Sequence, residues 1–175
     1  MIKLKDILFE STAPDIFIPR RMDDRLERMI KSYIRNGSKE SLELSNMNLI
    51  ELPAILKNVT VGRNFFCAGN KLTSLKNAPK SVGGSFYCSS NQLISLKGAP
   101  KTIDGSFYCS FNKLESLEGA PQSVGNDFKC TFNNLESLEG APQSVGGNFI
   151  CNSNPFIFSK RLVRDVSKVK GKIII

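Results

Sequence analysis

The sequence predicts a solenoid, in which copies of one short segment stack as successive turns with parallel strands. All five cysteines of the chain lie 21 residues apart, at Cys67, Cys88, Cys109, Cys130 and Cys151. A phenylalanine stands two residues before each cysteine, and an asparagine stands three residues after it. A fixed period of this length is typical of repeat proteins, in which each copy buries its apolar residues against its neighbours. The predicted fold class is an α/β solenoid with a parallel sheet.

Each turn begins with a predicted strand, Phe-x-Cys. Apolar residues alternate with variable ones in this segment, which is typical of a short strand with one buried face. The phenylalanine and the cysteine are expected to point inward, and the residue between them outward. A pair drawn from Gly, Asn and Asp precedes most of these strands, as in Gly83-Gly84. These residue types tolerate positive φ, so the pair predicts a tight turn.

The asparagine that follows each strand is expected to hold a bend. Its amide carries both a donor and an acceptor, so it can satisfy backbone groups that a buried bend leaves unpaired. The return arm of the turn carries Gly-Ala-Pro, as at residues 98–100, and this composition excludes a helix. The return arm is therefore predicted to be extended and non-helical.

The repeat resembles that of leucine-rich repeat proteins, whose consensus is L-x-x-L-x-L-x-x-N-x-L. The last four marked positions are occupied here by Phe86, Cys88, Asn91 and Leu93, and Val82 lies one residue from the first. The period of 21 residues and the proline of the return arm resemble the short bacterial and viral subclass, whose convex side is extended. The resemblance covers residues 41–154 and includes an opening turn, LELSNMNLIELP.

Four segments follow from this reading of the chain. They are an N-terminal segment (1–19), a helical N-terminal cap (20–40), the repeats (41–154) and a C-terminal cap (155–175). Met22, Leu26 and Ile30 follow helical spacing in the N-terminal cap. Pro19 suits the start of this helix, and Gly37 suits its C-terminal end.

The C-terminal cap is predicted to contain a short helix followed by a strand. Ser159 is expected to cap a helix that runs through Val166. The final KGKIII is typical of a strand, which would pair with or cover the open edge of the sheet.

The N-terminal segment carries a candidate leader, residues 1–10. Leu8-Phe9-Glu10 followed by Ser11 resembles the capsid-targeting leaders of tailed bacteriophages, which the prohead protease cuts after Glu in a Leu/Ile-x-Glu context. The alternative is a plain capping or docking helix. The chain as a whole also resembles the short leucine-rich repeat proteins that such phages encode. The expected location is the cytoplasm (the host cytoplasm if the protein is phage-encoded), with the virion as the other possibility.

The formal net charge is +8, and it is unevenly distributed. Residues 46–103 carry +6 and residues 104–154 carry −4. In one column of the repeat, Lys76 and Lys97 are replaced by Glu118 and Glu139. This gradient has two interpretations, namely solubility or a dipole that orients a partner. Nucleic acid is disfavoured as a partner, since the lysines are spread one per turn and no continuous cationic track forms.

Composition argues against an enzyme. Histidine is absent, which removes the Ser/His/Asp and Cys/His arrangements of nucleophilic catalysis. Cysteines stacked in single file cannot supply the tetrahedral ligand set of zinc, so they are expected to be reduced core residues. No metal or cofactor is expected. No stretch approaches the roughly 20 apolar residues that span a bilayer, so no membrane association is predicted.

The candidate binding site is the outward face of the sheet. Its predicted partner-binding residues are Phe66, Tyr87, Tyr108, Phe111, Lys129, Phe132 and Ile150. Tyrosine and phenylalanine are frequent in the residues that dominate binding energy at interfaces, and small polar residues flank these aromatics. The alternative is that the aromatics simply favour strands and cover the edge of the core.

The predicted function is a non-enzymatic leucine-rich repeat module that binds a protein through its concave sheet face. The partner is of unknown identity, and would be a host protein if a phage encodes the chain. The alternative is a structural or packaged virion-associated phage protein. A monomer is favoured.

Overall fold

The chain folds as a solenoid whose stacked turns carry two parallel β-sheets. The structure, a computed structural model, describes residues 19–175, with side chains from residue 24 onward. The helices are α1 (Pro19–Arg35), a 3₁₀ helix (Ala54–Asn58) and α2 (Lys160–Val166). The candidate leader, residues 1–10, lies outside the described residues. The predicted stack of 21-residue repeats with parallel strands is confirmed.

Thirteen short strands make up the two sheets of the described chain. In chain order they are β1 (Leu42–Glu43), β2 (Thr60–Val61), β3 (Phe65–Phe66), β4 (Ser81–Val82), β5 (Phe86–Tyr87), β6 (Thr102–Ile103), β7 (Phe107–Tyr108), β8 (Ser123–Val124), β9 (Phe128–Lys129), β10 (Ser144–Val145), β11 (Phe149–Ile150), β12 (Lys168–Val169) and β13 (Ile173–Ile174). The aromatic sheet contains seven strands in the order β1-β3-β5-β7-β9-β11-β13, and the valine sheet contains six in the order β12-β10-β8-β6-β4-β2.

The aromatic sheet contains the predicted Phe-x-Cys segments. Each phenylalanine lies directly beside the phenylalanine of the next turn, as Phe86 does beside Phe107. The ladder continues through the cysteine, whose N–H donates to the next turn (Cys88 N to Tyr108 O, 2.9 Å). A shift of 21 residues therefore places equivalent side chains in straight columns, about 4.8 Å apart. This register also sets the positions of the side chains on the outward face of the aromatic sheet, which is the candidate binding site.

The valine sheet was not predicted, although its strands agree with the expectation of an extended, non-helical arm. Its strands lie just before those of the aromatic sheet, separated from them by three-residue corners such as residues 83–85. Val82 and its equivalents point inward and are buried, while the preceding residues face out. Each of these strands buries a single side chain, so the local sequence shows no alternation long enough to reveal it.

The glycines at these corners have a different role from the predicted one. Gly83 and Gly84 do not have positive φ, although a turn of that kind was expected there. A Cβ atom on Gly83 would lie 2.6 Å from the carbonyl oxygen of Gly62 in the preceding turn. Glycine is needed because successive turns approach each other through their backbones at this corner.

The core is a file of phenylalanines enclosed by leucine, cysteine and valine columns. Phe65, Phe86, Phe107, Phe128 and Phe149 are each 0% exposed. Neighbouring rings lie 5.1–5.8 Å apart between centroids. Burying one such side chain contributes roughly 1.5–3 kcal/mol, so this file accounts for a large part of the folding free energy. The sequence prediction that Phe and Cys point inward is confirmed.

The predicted helices at both ends are confirmed in position. Helix α1 begins at Pro19 and buries Leu26 and Ile30 in the core. It ends before Gly37 (φ 82°), where Ser38 N donates to Tyr33 O and Gly37 N donates to Ile34 O, which is a Schellman motif.

The C-terminal segment extends both sheets. The hydroxyl of Ser159 accepts a hydrogen bond from Leu162 N (3.1 Å) and so caps α2, as predicted. Strands β12 and β13 pair in parallel with β10 and β11, which confirms KGKIII as strand-forming. Val163 of α2 is fully buried in the core.

Candidate partner-binding face

The outward face of the aromatic sheet carries a central column of side chains, one from each turn. The column contains Glu43, Phe66, Tyr87, Tyr108, Lys129, Ile150 and Ile174. Phe66 and Tyr87 stack with centroids 4.6 Å apart, and Tyr87 and Tyr108 stack at 5.0 Å. Phe66, Tyr87, Tyr108, Lys129 and Ile150 are half-buried. Three predicted site residues thus form one continuous aromatic stack, with Lys129 next in line.

A second column, the outer column, lies where the chain leaves each strand. Its members are Gly69, Ser90, Phe111, Phe132 and Ser153. Phe111 and Phe132 stack almost parallel, with centroids 4.5 Å apart and an angle of 8° between the rings. They are 53% and 51% exposed. The predicted pair therefore forms a solvent-facing platform of two rings.

Every residue of the outer column has a left-handed backbone. The φ values are 67° at Gly69, 56° at Ser90, 57° at Phe111, 54° at Phe132 and 59° at Ser153. The fold imposes this conformation on each turn, because the same bend follows each strand. A left-handed backbone costs a residue that has a Cβ atom about 1–2 kcal/mol, which glycine avoids. The backbone conformation of the bend therefore does not favour phenylalanine.

The asparagine ladder fixes the bend below the outer column. Asn112 is buried, and its Nδ2 donates to the carbonyl of Cys109 and to that of Cys88 in the preceding turn (both 3.1 Å). Its Oδ1 accepts from Leu93 N at 3.0 Å. The equivalent asparagines repeat the pattern, which confirms the predicted role of the side-chain amide. The ladder holds Phe111 and Phe132 rigidly because it ties each bend to the turn before it.

The polar residues on one side of the central column form a ladder of hydrogen bonds between successive turns. They are Asn64, Ser85, Ser106, Asp127 and Asn148. Each side-chain oxygen accepts a hydrogen bond from the backbone N–H of the equivalent residue one turn later, as Ser85 Oγ does from Ser106 N at 2.9 Å. This second ladder stabilises the corner between the two sheets, because each of these residues uses one oxygen atom to hold the next turn.

The residues between the two columns are also withdrawn from solvent where phenylalanine is present. Ser110 and Thr131 are 3% and 2% exposed, and Thr131 Oγ1 lies 3.0 Å from Ser110 Oγ. Ser89 and Asn152, at the same position in turns that carry serine in the outer column, are half-buried. The two rings of the platform therefore lie over side chains that solvent does not reach, and the exposed surface of the platform is apolar.

Three hydrogen-bond donors in the side chains of the central column have no partner among the described residues. Within residues 19–175, neither the hydroxyls of Tyr87 and Tyr108 nor the ammonium of Lys129 makes a hydrogen bond or an ion pair. Asp127, on the same strand segment as Lys129, uses its carboxylate to accept from Asn148 N at 2.7 Å. The face thus combines two aromatic stacks with hydrogen-bond donors that point to solvent.

The five thiols are part of the core and not of the face. All five cysteines are free and buried. Burial raises the pKa of each thiol, to about 11 for Cys151 and further for Cys109. A thiol held in its neutral form is a poor nucleophile and a poor metal ligand.

The return arm carries two shallow grooves of opposite charge. One, of about 400 Å³, is lined by Lys57, Lys76, Lys80 and Lys101. The other, of about 530 Å³, is lined by Glu136 and Glu139 together with apolar residues of the C-terminal segment. Where the column changes sign, Lys97 Nζ lies 2.7 Å from Glu118 Oε1. The lysines of the first groove are all exposed and therefore well hydrated.

Comparison with known proteins adds no family. No protein-family model matches the chain, and no curated protein does. Among residues 19–175, no helix has the length and the apolar character needed to cross a membrane.

Proposed function

We propose that this protein is a non-enzymatic binding module, which recognises a protein partner through the outward face of its aromatic sheet. The central contacts are Tyr87, Tyr108, Phe111, Lys129 and Phe132, with Phe66 and Ile150 at the two ends. The partner is a protein of the host cell if a phage encodes the chain.

The observation that carries the proposal is the pair Phe111 and Phe132. Both side chains are about half exposed, and both occupy a left-handed bend that serine or glycine fills in the other turns. Neither ring fills the core, since Phe107 and Phe128 of the same turns already do. A strained, exposed aromatic residue that folding does not require is typical of a functional site. Aromatic residues are also the commonest anchors of protein interfaces.

Rigidity supports the same function. Both columns sit on backbone that is hydrogen-bonded to the turns on either side, through the sheet and through the asparagine ladder. A preformed surface loses little conformational entropy when a partner binds, so more of the contact energy appears as affinity.

The leucine-rich repeat assignment belongs to this proposal as well. It is supported by the 21-residue period, the parallel aromatic sheet and the asparagine that bridges successive turns. In this assignment the aromatic sheet is the concave face, and α1 and the C-terminal segment are caps that shield the ends of the core. Repeat proteins need such polar-faced ends to stay soluble.

Affinity capture with matched variants tests the proposal. Wild-type protein, Phe111→Ser/Phe132→Ser and Ile94→Ser are used as baits in lysate from the cell that produces the protein. Serine is chosen because Ser90 and Ser153 adopt the same backbone conformation. Ile94 is 66% exposed and lies outside both columns, so it controls for loss of any apolar surface group.

The expected result is a protein captured by the wild type and by Ile94→Ser but not by the double variant. Capture that survives the double variant but disappears in Lys76→Glu/Lys97→Glu would contradict the proposal, and would place the site on the basic part of the return arm.

A further inference from the structure

We infer that the partner contributes an extended segment in which an apolar or aromatic side chain is followed two to three residues later by a carboxylate. The inference rests on the proposed function and specifies the chemistry of the segment that binds. Its three supports are the open end of the platform, the unpaired donors beside it and the spacing between them.

The two-ring platform has an open end at Ser90. The rings of Phe111 and Phe132 stack along the solenoid axis with a spacing of 4.5 Å, close to the strand separation of about 4.8 Å. A third ring in the same file would lie over Ser90, where the side chain is small and exposed. Ser89, the residue before Ser90, is also small, and Tyr87 of the central column belongs to the same turn. Because the side chains of Ser89 and Ser90 are much shorter than the rings of Tyr87 and Phe111, we expect the surface over the two serines to form a recess between those rings.

This recess fits a planar or branched apolar side chain. Such a group would continue the phenylalanine stack, and an aromatic pair contributes beyond the area it buries. The opposite end of the platform is less suitable, because Asn152 Nδ2 donates to Ser153 Oγ there (3.0 Å) and a polar amide pair would have to be covered. The Ser90 end has no equivalent bond among the described residues.

The hydrogen-bond donors near the recess favour a negatively charged acceptor on the partner. The Tyr87 and Tyr108 hydroxyls and the Lys129 ammonium have no protein partner within residues 19–175. A carboxylate from the partner would pair with Lys129, whereas an arginine or lysine would be repelled. The neighbouring Asp127 keeps its negative charge while it accepts from Asn148 N, but it forms no ion pair with Lys129 within residues 19–175, so the ammonium is still available to a carboxylate of the partner.

The spacing sets the sequence of the segment. Lys129 lies two strands from the turn of Ser90, which is about 10 Å at 4.8 Å per strand. An extended chain advances about 3.3 Å per residue, so two to three residues advance about 7–10 Å, and the flexible side chains of Lys129 and of the partner's carboxylate cover the rest, including the offset between the two columns. The bound segment therefore runs across the strands, along the solenoid axis, with its apolar side chain over Ser90 and its carboxylate at Lys129.

A displayed library of random linear 12-residue peptides tests the inference on the full-length protein. Peptides are selected on the wild type, and their affinities are then measured by fluorescence anisotropy for four variants. Phe111→Ser/Phe132→Ser removes the platform, and Lys129→Glu reverses the charge. Ser90→Phe fills the recess with a residue that this bend already accepts at two other positions, and Ile94→Ser is the control.

The expected selection is enriched in an aromatic or aliphatic residue followed two to three positions later by Asp or Glu. Lys129→Glu, Ser90→Phe and the double variant should each weaken binding at least about tenfold, as the loss of one anchoring contact does. Ile94→Ser should change it less than about twofold. Thermal melting of each variant shows that it is folded.

Two outcomes overturn the inference, and they differ in what they mean for the proposed function. Peptides that need Phe111 and Phe132 but are basic, or that tolerate Ser90→Phe and Lys129→Glu, would refute the acidic apolar segment while leaving the aromatic face as the site. If no peptide is selected, or if the selected peptides bind the double variant as tightly as they bind the wild type, both the inference and the proposed function are contradicted.

Discussion

Phe107 and Phe111 belong to the same turn and lie four residues apart, yet they have opposite roles. Phe107 lies in a strand and is 0% exposed, with core rings on either side. Phe111 lies in a left-handed bend and is 53% exposed, stacked only on Phe132. The inner phenylalanine occurs in all five cysteine-containing turns, whereas the outer one occurs in two. The inner phenylalanines are therefore required by the fold, whereas folding does not require the outer pair, which agrees with the proposed role of that pair in binding.

The largest expected effect is on the inner side of this comparison. Phe107→Ala should lower the free energy of unfolding by about 3–5 kcal/mol, because it leaves a cavity between two turns that cannot collapse onto it. Urea denaturation followed by circular dichroism measures the change. A loss below about 1 kcal/mol would mean that the phenylalanine file is not the main support of the stack.

The ladder that holds the bend comes next. Asn112→Ala leaves the buried Leu93 N–H without its acceptor, and it removes one of the two amide donors from each of the Cys88 and Cys109 carbonyls. The expected loss is about 1–3 kcal/mol of unfolding free energy. Asn134→Ala, at an exposed position on the equivalent bend one turn later, is the matched control and should change the melting temperature little. Equal melting of the two variants would show that the ladder is solvated.

The buried thiols predict a loss of stability in alkali. Their pKa values are raised in the folded state, so above the unfolded value of about 8.5 the unfolded chain binds fewer protons and gains in stability relative to the fold. Each thiol should reduce the free energy of unfolding by up to ~1.4 kcal/mol per pH unit above that value.

Cys109→Ala isolates the contribution of one thiol. Tyrosine and lysine ionise alike in both proteins, so the difference between the two pH profiles belongs to Cys109. The unfolding free energy of the wild type should fall more steeply than that of the variant from pH 9 to 10.5. Parallel profiles would mean that the thiol ionises freely in the folded protein. Rapid alkylation of all five thiols in the native state would lead to the same conclusion.

The smallest effect on stability is expected for the outward-facing side chains of the aromatic sheet. Tyr108→Ala should change the free energy of unfolding by less than about 1 kcal/mol, since the side chain faces outward and its hydroxyl has no partner among the described residues. Thermal melting measures this. A loss comparable to that of Phe107→Ala would place Tyr108 with the fold and not with the binding face.

Much of this arrangement could be predicted because it repeats. The fixed positions of cysteine, phenylalanine and asparagine reveal the stack, the inward face and the bend. Proline at the start and glycine at the end locate α1, and Ser159 locates α2, because these residues act through their own local backbone.

The features that were missed depend on contacts between turns. The strands of the valine sheet bury one side chain each, so they have no local pattern, and the hydrogen bonds that define them come from residues 21 positions away. The second polar ladder had a signal, since Asn64, Ser85, Ser106 and Asp127 all carry an oxygen that can accept. The left-handed outer column also had one, in the glycine directly before the asparagine at Gly69-Asn70.

One pair of measurements on Phe111→Ser/Phe132→Ser tests the central claim that the outer phenylalanines serve binding and not folding. Thermal melting should give an unfolding free energy within about 1 kcal/mol of the wild type, because both rings are about half exposed and serine already occupies the same bend in two other turns. Calorimetric titration with the captured partner should show affinity reduced at least about tenfold. A double variant that loses several kcal/mol of stability, or that binds the partner as tightly as the wild type does, would contradict the claim.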